Sequence, residues 1–204
     1  MSENVICESL DRFFVGNCEY KVSNAFIFKS NWESDFFVQK QNGYAYEFEV
    51  KISRSDFFAD KKKVDKHMIL SSGKFMLKKH KYNEQSTCKA DRWIVTEEEK
   101  EHSFRPNKFF YVVPSGMITV DELPPYAGLY YYDENGGTDY SCNLKKIKDS
   151  PFMHKEKLRF EYVLCKKFYY YWMEEKSMAK RLKRDLEKYN QFTDPETTDT
   201  QTAC

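Results

Sequence analysis

Two aromatic and β-branched segments on either side of an Asn-Gly dipeptide constrain the fold of this chain more than any other feature. Residues 35–40 and 44–52 have the composition of β-strands, and the Asn-Gly pair at 42–43 is typical of a hairpin turn. Apolar residues occupy every other position of the second segment. Because successive side chains of a strand point to opposite faces, the intervening residues share one face. These charged residues are Glu47, Glu49 and Lys51.

The turn geometry decides whether Asp35 joins this charged face, because a shift of one residue reverses the face that every side chain occupies. A two-residue turn points Asp35 away from Glu49. A three-residue loop, with Gly43 left-handed in a bulge, instead pairs Lys40 with Tyr44 and Asp35 with Glu49. We favour the bulged loop, since only that register brings two carboxylates and an ammonium together.

A lysine-rich segment follows the charged strand. Ser53 and Asp56 have the spacing of a helix cap, and apolar residues continue at helical spacing through Ile69, which predicts one helix with a basic opposite face. Between residues 61 and 89, nine lysines against two acids leave a local excess of +7, which would attract a phosphate backbone. An ordinary solvated face explains the run equally well. The candidate DNA-binding residues are Arg54, Lys61, Lys62, Lys63 and Lys66.

Charge and length exclude several classes of protein. The 204 residues carry 33 Lys and Arg against 32 Asp and Glu, so any charge-driven function is local. The longest uncharged stretch has 12 residues, fewer than the roughly 20 of a membrane span, and the acidic first residues do not resemble a secretion signal. The six cysteines form no C-x-x-C pair, and we interpret them as free thiols. A soluble, cytoplasmic protein with no membrane contact is predicted.

The later segments predict the fold class. Residues 108–113 form a nearly continuous apolar run, typical of a central strand buried on both faces, and residues 129–132 predict another strand. Strands interleaved with helices indicate an α/β protein with a mixed sheet flanked by helices. The predicted core comprises residues 1–150.

Residues 155–189 predict a long amphipathic C-terminal helix that breaks or projects, because their apolar side chains recur at helical spacing. It would be a packed helix with a basic solvent face, a DNA-clamping arm or the contact of a homodimer. The predicted helical region is 151–192, and the acidic, threonine-rich residues 193–204 predict a disordered tail.

Asp35 together with the Glu-Val-Lys run at 49–51 resembles the signature of the PD-(D/E)XK nuclease superfamily, which has a restriction-endonuclease-like fold. Residues 32–35 and 46–57, with Asp60, are similar to its MmcB-like DNA-repair branch, which also occurs among phage-encoded proteins. The close similarity spans about residues 30–67. One departure is Ser34, which stands where the name motif has proline.

The resemblance implies a metal-dependent DNA nuclease acting in repair, recombination or nucleic-acid processing and leaving a 5′-phosphate and a 3′-hydroxyl. Asp35, Glu49 and the backbone carbonyl of Val50 would bind Mg²⁺ or Mn²⁺, since hard divalent cations prefer oxygen ligands. Lys51, held charged by two carboxylates, would orient water and stabilise phosphate charge rather than act as a free base.

Several alternatives remain open from the sequence. Glu33 and Glu47 are candidate substitutes for the proposed ligands, because each is two residues from one of them and shares its face. The resemblance also implies a further acid from the first helix, for which Glu8 is the candidate. Without the resemblance, the charged residues fit the solvent-exposed face of an antiparallel sheet, with Asp35 a turn residue. A non-catalytic nucleic-acid-binding or assembly protein on the same scaffold is the alternative function.

Overall fold

The computed structural model describes residues 2–29, 32–82, 93–102, 104–136 and 143–193. Within them the chain is an α/β protein with a six-stranded sheet, a separate two-stranded sheet and a long C-terminal helix, as predicted. The elements in chain order are α1 (Glu3–Phe13), β1 (Tyr20–Lys29), β2 (Trp32–Gln39), β3 (Ala45–Val50), α2 (Arg54–Asp60), α3 (Val64–Ser72), β4 (Lys74–Tyr82), β5 (Trp93–Glu101), β6 (Lys108–Pro114), a 3-10 turn (Val120–Glu122), β7 (Ala127–Tyr132), β8 (Leu144–Lys148) and α4 (Glu161–Thr193).

The large sheet is mixed, with the strand order β1-β2-β3-β6-β7-β8. Its first three strands are antiparallel, β3, β6 and β7 are parallel, and β8 returns antiparallel to β7. Parallel neighbours require a long crossover connection, and the one between β3 and β6 contains α2, α3 and the two-stranded β4-β5 sheet. The apolar run of β6 lies between β3 and β7 and is buried, which confirms the predicted central strand.

The hairpin of β2 and β3 has the predicted bulged loop. Phe36 pairs with Phe48, and the Lys40 backbone N–H donates to the Tyr44 carbonyl at 2.8 Å. Gly43 has φ +84° and donates its N–H to the Lys40 carbonyl at 2.8 Å. The left-handed conformation is favourable for glycine, which has no Cβ to clash with the backbone. The three-residue loop therefore sets the register that places Asp35 toward Glu49.

Each face of the large sheet packs an aromatic-rich core. On one face, α1 contributes Ile6 and Leu10 to a cluster with Phe48 and Phe110, whose rings stack at 5.2 Å. On the other face, α2 packs Phe57 against Tyr111 with ring centroids 5.0 Å apart. This second face, covered by α2 and α3, carries the charged residues of β3.

The single helix predicted after Ser53 is wrong, because the chain forms two helices. The predicted cap itself is confirmed, since Ser53 Oγ accepts a hydrogen bond from the Asp56 N–H at 3.2 Å. The first helix ends at Asp60, and Lys63, with ψ +72°, leaves the helical conformation before α3 begins. The break lets Lys66, six residues along the chain, reach back to the Asp60 carboxylate, which a continuous helix would not allow.

Helix α4 is one unbroken helix of 33 residues, but it begins later than the apolar periodicity predicts. Phe160 is fully buried, with ring centroids 4.8 Å from those of Phe37 and Phe104, and this core position keeps residues 155–160 out of the helix. The chain divides into two compact units at the Phe160–Glu161 junction, after the predicted boundary at 150. Residues 194–204 of the predicted tail lie outside the described residues.

The described helices, α4 included, all lack the combination of length and apolar character needed to cross a bilayer. Three of the cysteines in the described segments are free thiols, in agreement with the interpretation of the sequence. They are Cys7, Cys18 and Cys165.

Candidate functional site

The structure brings the three predicted site residues together at one cavity. Lys51 Nζ lies 2.7 Å from Glu49 Oε1 and 3.6 Å from Asp35 Oδ2. Asp35 comes from β2, Glu49 from β3, and Lys51 from the residue that follows β3. All three line a cavity of about 600 Å³, so the charged groups of two neighbouring strands face a common solvent-accessible space.

A local distortion of the sheet accompanies the position of Asp35. Regular pairing of β2 with β3 ends at Phe36, one residue before Asp35 is reached. Opposite Asp35 on β1 stands Asn24, whose φ of +51° is left-handed. Asparagine tolerates this conformation better than most residues, and such irregularities redirect side chains at sheet edges. The Asp35 carboxylate then accepts the Val50 N–H through Oδ2 at 2.7 Å, so a side chain takes the role of the backbone acceptor.

The Lys51 ammonium also donates to the Val50 carbonyl at 2.9 Å. It therefore contacts one oxygen from each of the three groups predicted to bind metal: the carboxylates of Asp35 and Glu49 and the Val50 carbonyl. Three oxygen atoms thus surround the positive charge of the ammonium. This arrangement is the electrostatic environment that a cation-binding position requires.

Burial and charge shift the ionisation of both partners. Burial, followed by repulsion from Glu49, raises the pKa of Asp35 to about 7, although Lys51 and the Val50 N–H act in the opposite direction. Burial lowers the pKa of Lys51, but the carboxylates of Glu49 and Asp35 outweigh it and raise that pKa above its ordinary value. Lys51 is therefore an ammonium across the physiological pH range, which suits charge stabilisation and not base catalysis.

Lys66 is buried, so the prediction that it belongs to a solvent-facing basic surface is wrong. Its Nζ lies 2.5 Å from Glu49 Oε2 and 3.4 Å from Asp60 Oδ1. The rings of Trp32 and Phe109 flank the ammonium at 5.6 and 5.2 Å. Its neighbours keep the pKa of Lys66 above the ordinary value, despite the opposing effect of burial. Lys66 is therefore an internal counter-charge for Glu49.

Asp60 is a site residue to which the sequence alone assigned no role. It is buried at the end of α2, where Oδ2 accepts a hydrogen bond from Tyr111 Oη at 2.8 Å and Oδ1 lies 3.0 Å from Lys63 Nζ. Burial acts to raise the pKa of Asp60, but His67, Lys66 and Tyr111 hold it well below its usual range. The spacing of Asp60 to Lys63, one helical turn, was the available signal in the sequence.

The other candidate acids occupy different environments. Glu47 is fully buried and accepts hydrogen bonds at Oε1 from Trp32 Nε1 at 2.6 Å and from Ser34 Oγ at 3.1 Å. Burial raises its pKa to about 8, and its Oε2 has no hydrogen-bond partner among the described residues. Glu33 is exposed and lines the cavity with Asp35.

Glu8, the candidate acid from the first helix, does not line the cavity of Asp35, Glu49 and Lys51. It lines a separate cavity beside α1. Both Glu47 and Glu49 of β3 are buried, so the interpretation of the charged residues as a solvent-exposed sheet face is wrong. Helices α2 and α3 cover this face and bury the two carboxylates, and the local pattern of β3 does not reveal those helices.

Among the remaining predicted DNA-binding residues, Arg54 and Lys61 have protein partners. Arg54 Nη2 lies 2.6 Å from Glu122 Oε1, and Lys61 donates to the Glu122 carbonyl at 2.6 Å. Lys62 is exposed, and Lys63, with a side chain 58% exposed, lines the cavity. Of these two, Lys63 lines the cavity while it also pairs with Asp60, and Lys62 is the exposed residue that precedes it.

The lysines of β4 face acids on β5. Lys74 Nζ lies 2.6 Å from Glu99 Oε1, Lys78 lies 3.4 Å from Glu97, and Lys79 pairs with Glu98. Three of the nine lysines counted in residues 61–89 are therefore paired with acids across this two-stranded sheet. Those acids follow the lysines in sequence and lie beyond residue 89, where the lysine-rich segment ends.

The oxygen atoms around Lys51 are of the kind that bind a divalent cation. Among the residues that the structure describes, no group of three or more His, Cys, Asp or Glu side chains is arranged to hold a metal. Two carboxylates and a backbone carbonyl nevertheless surround the Lys51 ammonium, and Mg²⁺ is commonly held by one or two carboxylates while it keeps several waters. The residues present fit such a cation in donor chemistry, and the cavity leaves room for its waters.

Comparisons with known proteins do not assign a family. No protein-family model and no curated protein matches the chain. A solved structure of a protein of unknown function from Silicibacter pomeroyi is similar at 18% identity, covering 89% of this chain and 84% of that chain, with a TM-score of 0.41.

Proposed function

We propose that this chain is a metal-dependent DNA nuclease of the PD-(D/E)XK type that hydrolyses phosphodiester bonds in DNA repair, recombination or processing in the cytoplasm. One observation carries the proposal: Asp35, Glu49 and Lys51 meet at a single cavity, with Lys51 Nζ within 3.6 Å of both carboxylates. The predicted signature of two acids and a lysine thus has the convergence that the chemistry needs.

Each group has a definite role in this proposal. Asp35, Glu49 and the Val50 carbonyl would hold Mg²⁺ or Mn²⁺, which when bound would offset the charge of the phosphate and polarise a water. Lys51 keeps its proton and orients the attacking water while stabilising charge that develops on the phosphate oxygens. Lys63 at the cavity and exposed Lys62 bind the flanking phosphates.

The proposal is tested by incubating the purified chain with supercoiled and single-stranded DNA plus Mg²⁺ or Mn²⁺. Asp35→Ala and Lys51→Ala are expected to lower the cleavage rate by about 100-fold or more, as removal of a group that stabilises the transition state does. Asp11→Asn is the matched control, since Asp11 is a half-exposed carboxylate that pairs with Lys21 and lines a different cavity.

Cleavage that persists at the wild-type rate in both site variants would refute the assignment of these residues. An equally large decrease in the cleavage rate of Asp11→Asn would indicate a general effect of removing a carboxylate. Circular dichroism of each variant separates a lost fold from a lost reaction.

A second candidate is a non-catalytic nucleic-acid-binding or assembly protein on the same scaffold. It is favoured by the charge balance at Glu49, whose carboxylate contacts the ammonium groups of Lys51, Lys63 and Lys66 and so already has counter-ions. Nuclease scaffolds can serve binding alone. DNA binding without cleavage of any substrate, and without a response to Mg²⁺ or Mn²⁺, would favour this candidate.

A homodimer through α4 is proposed as the assembly. The helix carries a series of large apolar side chains, each at least 46% exposed, that recur at helical spacing. Light scattering of the wild type and of Trp172→Lys with Leu186→Lys tests it: a dimer that becomes a monomer supports the contact, and a wild-type monomer contradicts it. The exposed residues are Tyr162, Tyr169, Trp172, Leu182, Leu186 and Tyr189.

A further inference from the structure

The three oxygens around the Lys51 ammonium form a cation-binding position of which this lysine is itself the occupant. The distances are 2.7 Å to Glu49 Oε1, 2.9 Å to the Val50 carbonyl and 3.6 Å to Asp35 Oδ2. These are the same three groups that would hold a divalent cation in the proposed function. An ammonium and a metal ion cannot occupy this position together, because both need the same oxygen lone pairs and both are positive.

We propose that Lys51 is an exchangeable counter-ion: its ammonium holds Asp35 and Glu49 together, and a divalent cation displaces it into the cavity as the metal binds. This inference rests on the proposed function, because it concerns the same metal site. It adds that metal affinity is limited by competition from a side chain of the protein. The exchange also moves Lys51 into the space where the phosphate would lie, so one event loads the metal and positions the lysine.

The two lysines nearest to Glu49, Lys51 and Lys66, differ in a way that makes only Lys51 exchangeable. Lys66 is buried, contacts both Glu49 and Asp60, and lies between the rings of Trp32 and Phe109. Lys51 has no such enclosure: it lies at the end of β3, and its side chain, 12% exposed, lines the cavity. Its long flexible stem can turn outward without opening the core. Lys66 therefore remains to orient Glu49 Oε2 while Oε1 changes partner.

Lys63 supplies a matched control for the effect of charge alone. Its ammonium lies 3.7 Å from the same Glu49 Oε1, so its removal also takes one positive charge from the neighbourhood of that oxygen. Its other carboxylate neighbour is Asp60 and not Asp35, and its side chain is 58% exposed. Solvent screens an exposed charge much more than one held at a buried carboxylate.

The experiment measures Mn²⁺ binding by electron paramagnetic resonance for the full chain, without DNA, in wild type, Lys51→Met, Lys51→Gln and Lys63→Met. Lys51→Met and Lys51→Gln are expected to bind Mn²⁺ about tenfold more tightly than wild type, because the competing ammonium is gone. Lys63→Met is expected to change the affinity by about threefold or less. Thermal unfolding supplies a second readout: in chelator, Lys51→Met unfolds at a lower temperature than wild type, and Mn²⁺ raises its unfolding temperature more.

The Mn²⁺ affinities of the four proteins distinguish the exchange from general electrostatic attraction and from the absence of a metal site. Equal Mn²⁺ affinity in wild type and Lys51→Met overturns the exchange but leaves the proposed metal-dependent function standing. Equal increases in affinity for Lys51→Met and Lys63→Met also overturn it, since general electrostatic attraction would then be the cause. Absence of Mn²⁺ binding in every variant overturns the exchange and the proposed function together. Tighter binding confined to the Lys51 variants supports the exchange, whether or not DNA is cleaved.

Discussion

The Lys66 ammonium lies 2.5 Å from Oε2 of Glu49, and both side chains are buried. The two residues come from α3 and β3, so the ion pair forms only when the helix packs on the charged face of the sheet. A buried charge without its partner retains the cost of its desolvation and has no compensation. This ion pair therefore joins the stability of the fold to the orientation of the candidate site.

Lys66→Met is expected to lower the free energy of unfolding by about 3–5 kcal/mol, the cost typical of breaking a buried ion pair. Urea unfolding followed by circular dichroism measures it. Lys62→Met is the control, because Lys62 is exposed, and it should leave the unfolding free energy nearly unchanged. A decrease of less than about 1 kcal/mol for Lys66→Met would show that the pair is dispensable.

The buried carboxyl of Glu47 predicts a pH dependence of stability. Its pKa, raised from 4.5 to about 8, means that the folded state binds a proton more tightly than the unfolded chain. The stability contributed by Glu47 is therefore full below about pH 4.5, falls as pH rises and is lost above about pH 8.

Glu47→Gln should remove this pH dependence, because the amide keeps an acceptor for Trp32 and Ser34 but cannot ionise. The unfolding free energy of wild type relative to Glu47→Gln is expected to fall by about 1.4 kcal/mol per pH unit between about pH 5 and pH 8. Urea titrations at several pH values test this. A constant difference between the two proteins would contradict the assigned protonation.

Gly43→Ala is expected to lower the free energy of unfolding by about 1–2 kcal/mol, because φ at this position is +84°. Gly43→Asn is the matched control. Either new Cβ would meet Lys157 Cδ at the same 3.3 Å, so the difference between the variants isolates the backbone conformation, which asparagine tolerates better. Urea unfolding of both variants tests the prediction, and equal decreases in stability would assign the cost to Lys157 and not to φ.

DNA affinity is expected to depend on Lys62 and Lys63 rather than on the lysines of β4. The double variant Lys62→Ala with Lys63→Ala should weaken binding and lower the slope of log affinity against log salt by about one for each lysine that binds a phosphate. Lys78→Ala with Lys79→Ala removes the same charge where Glu97 and Glu98 already pair with it, and should change little. Fluorescence anisotropy over a range of salt concentrations measures both. The opposite ranking would place the DNA on the β4-β5 sheet.

The hairpin was predictable because its determinants are local. The alternation of β3, the Asn-Gly dipeptide and the left-handed preference of Gly43 act within a few residues of one another, and the predicted register places Asp35 beside Glu49 in the structure. The central strand β6 was predictable for the same reason, since its apolar run is continuous. The participation of Asp60 was not, because it depends on a helix break and on Tyr111 from a distant strand.

Charge and periodicity were less reliable where a distant partner decides the outcome. The apolar side chains at helical spacing include Leu158, yet residues 155–160 lie outside α4. Packing of Phe160 in the aromatic core stabilises the chain more than a further helical turn would. The lysines of β4 are balanced by acids of β5 that follow them in sequence. Counting charges in a window cannot reveal pairing across strands.

The sequence by itself determined the α/β class, the hairpin, and the acids and lysine that meet at the cavity, because hydrophobic period and turn chemistry are short-range properties. It left two registers open for that hairpin, and the structure has the one chosen for the charges it brings together. Only the tertiary structure decided which of the charged groups are buried and what each one contacts. Glu47 and Lys66 look like surface residues in the sequence, and both are interior because helices α2 and α3 cover that face of the sheet. Burial is a property of the assembled layers, and it decides which partners the charged groups of the candidate site contact.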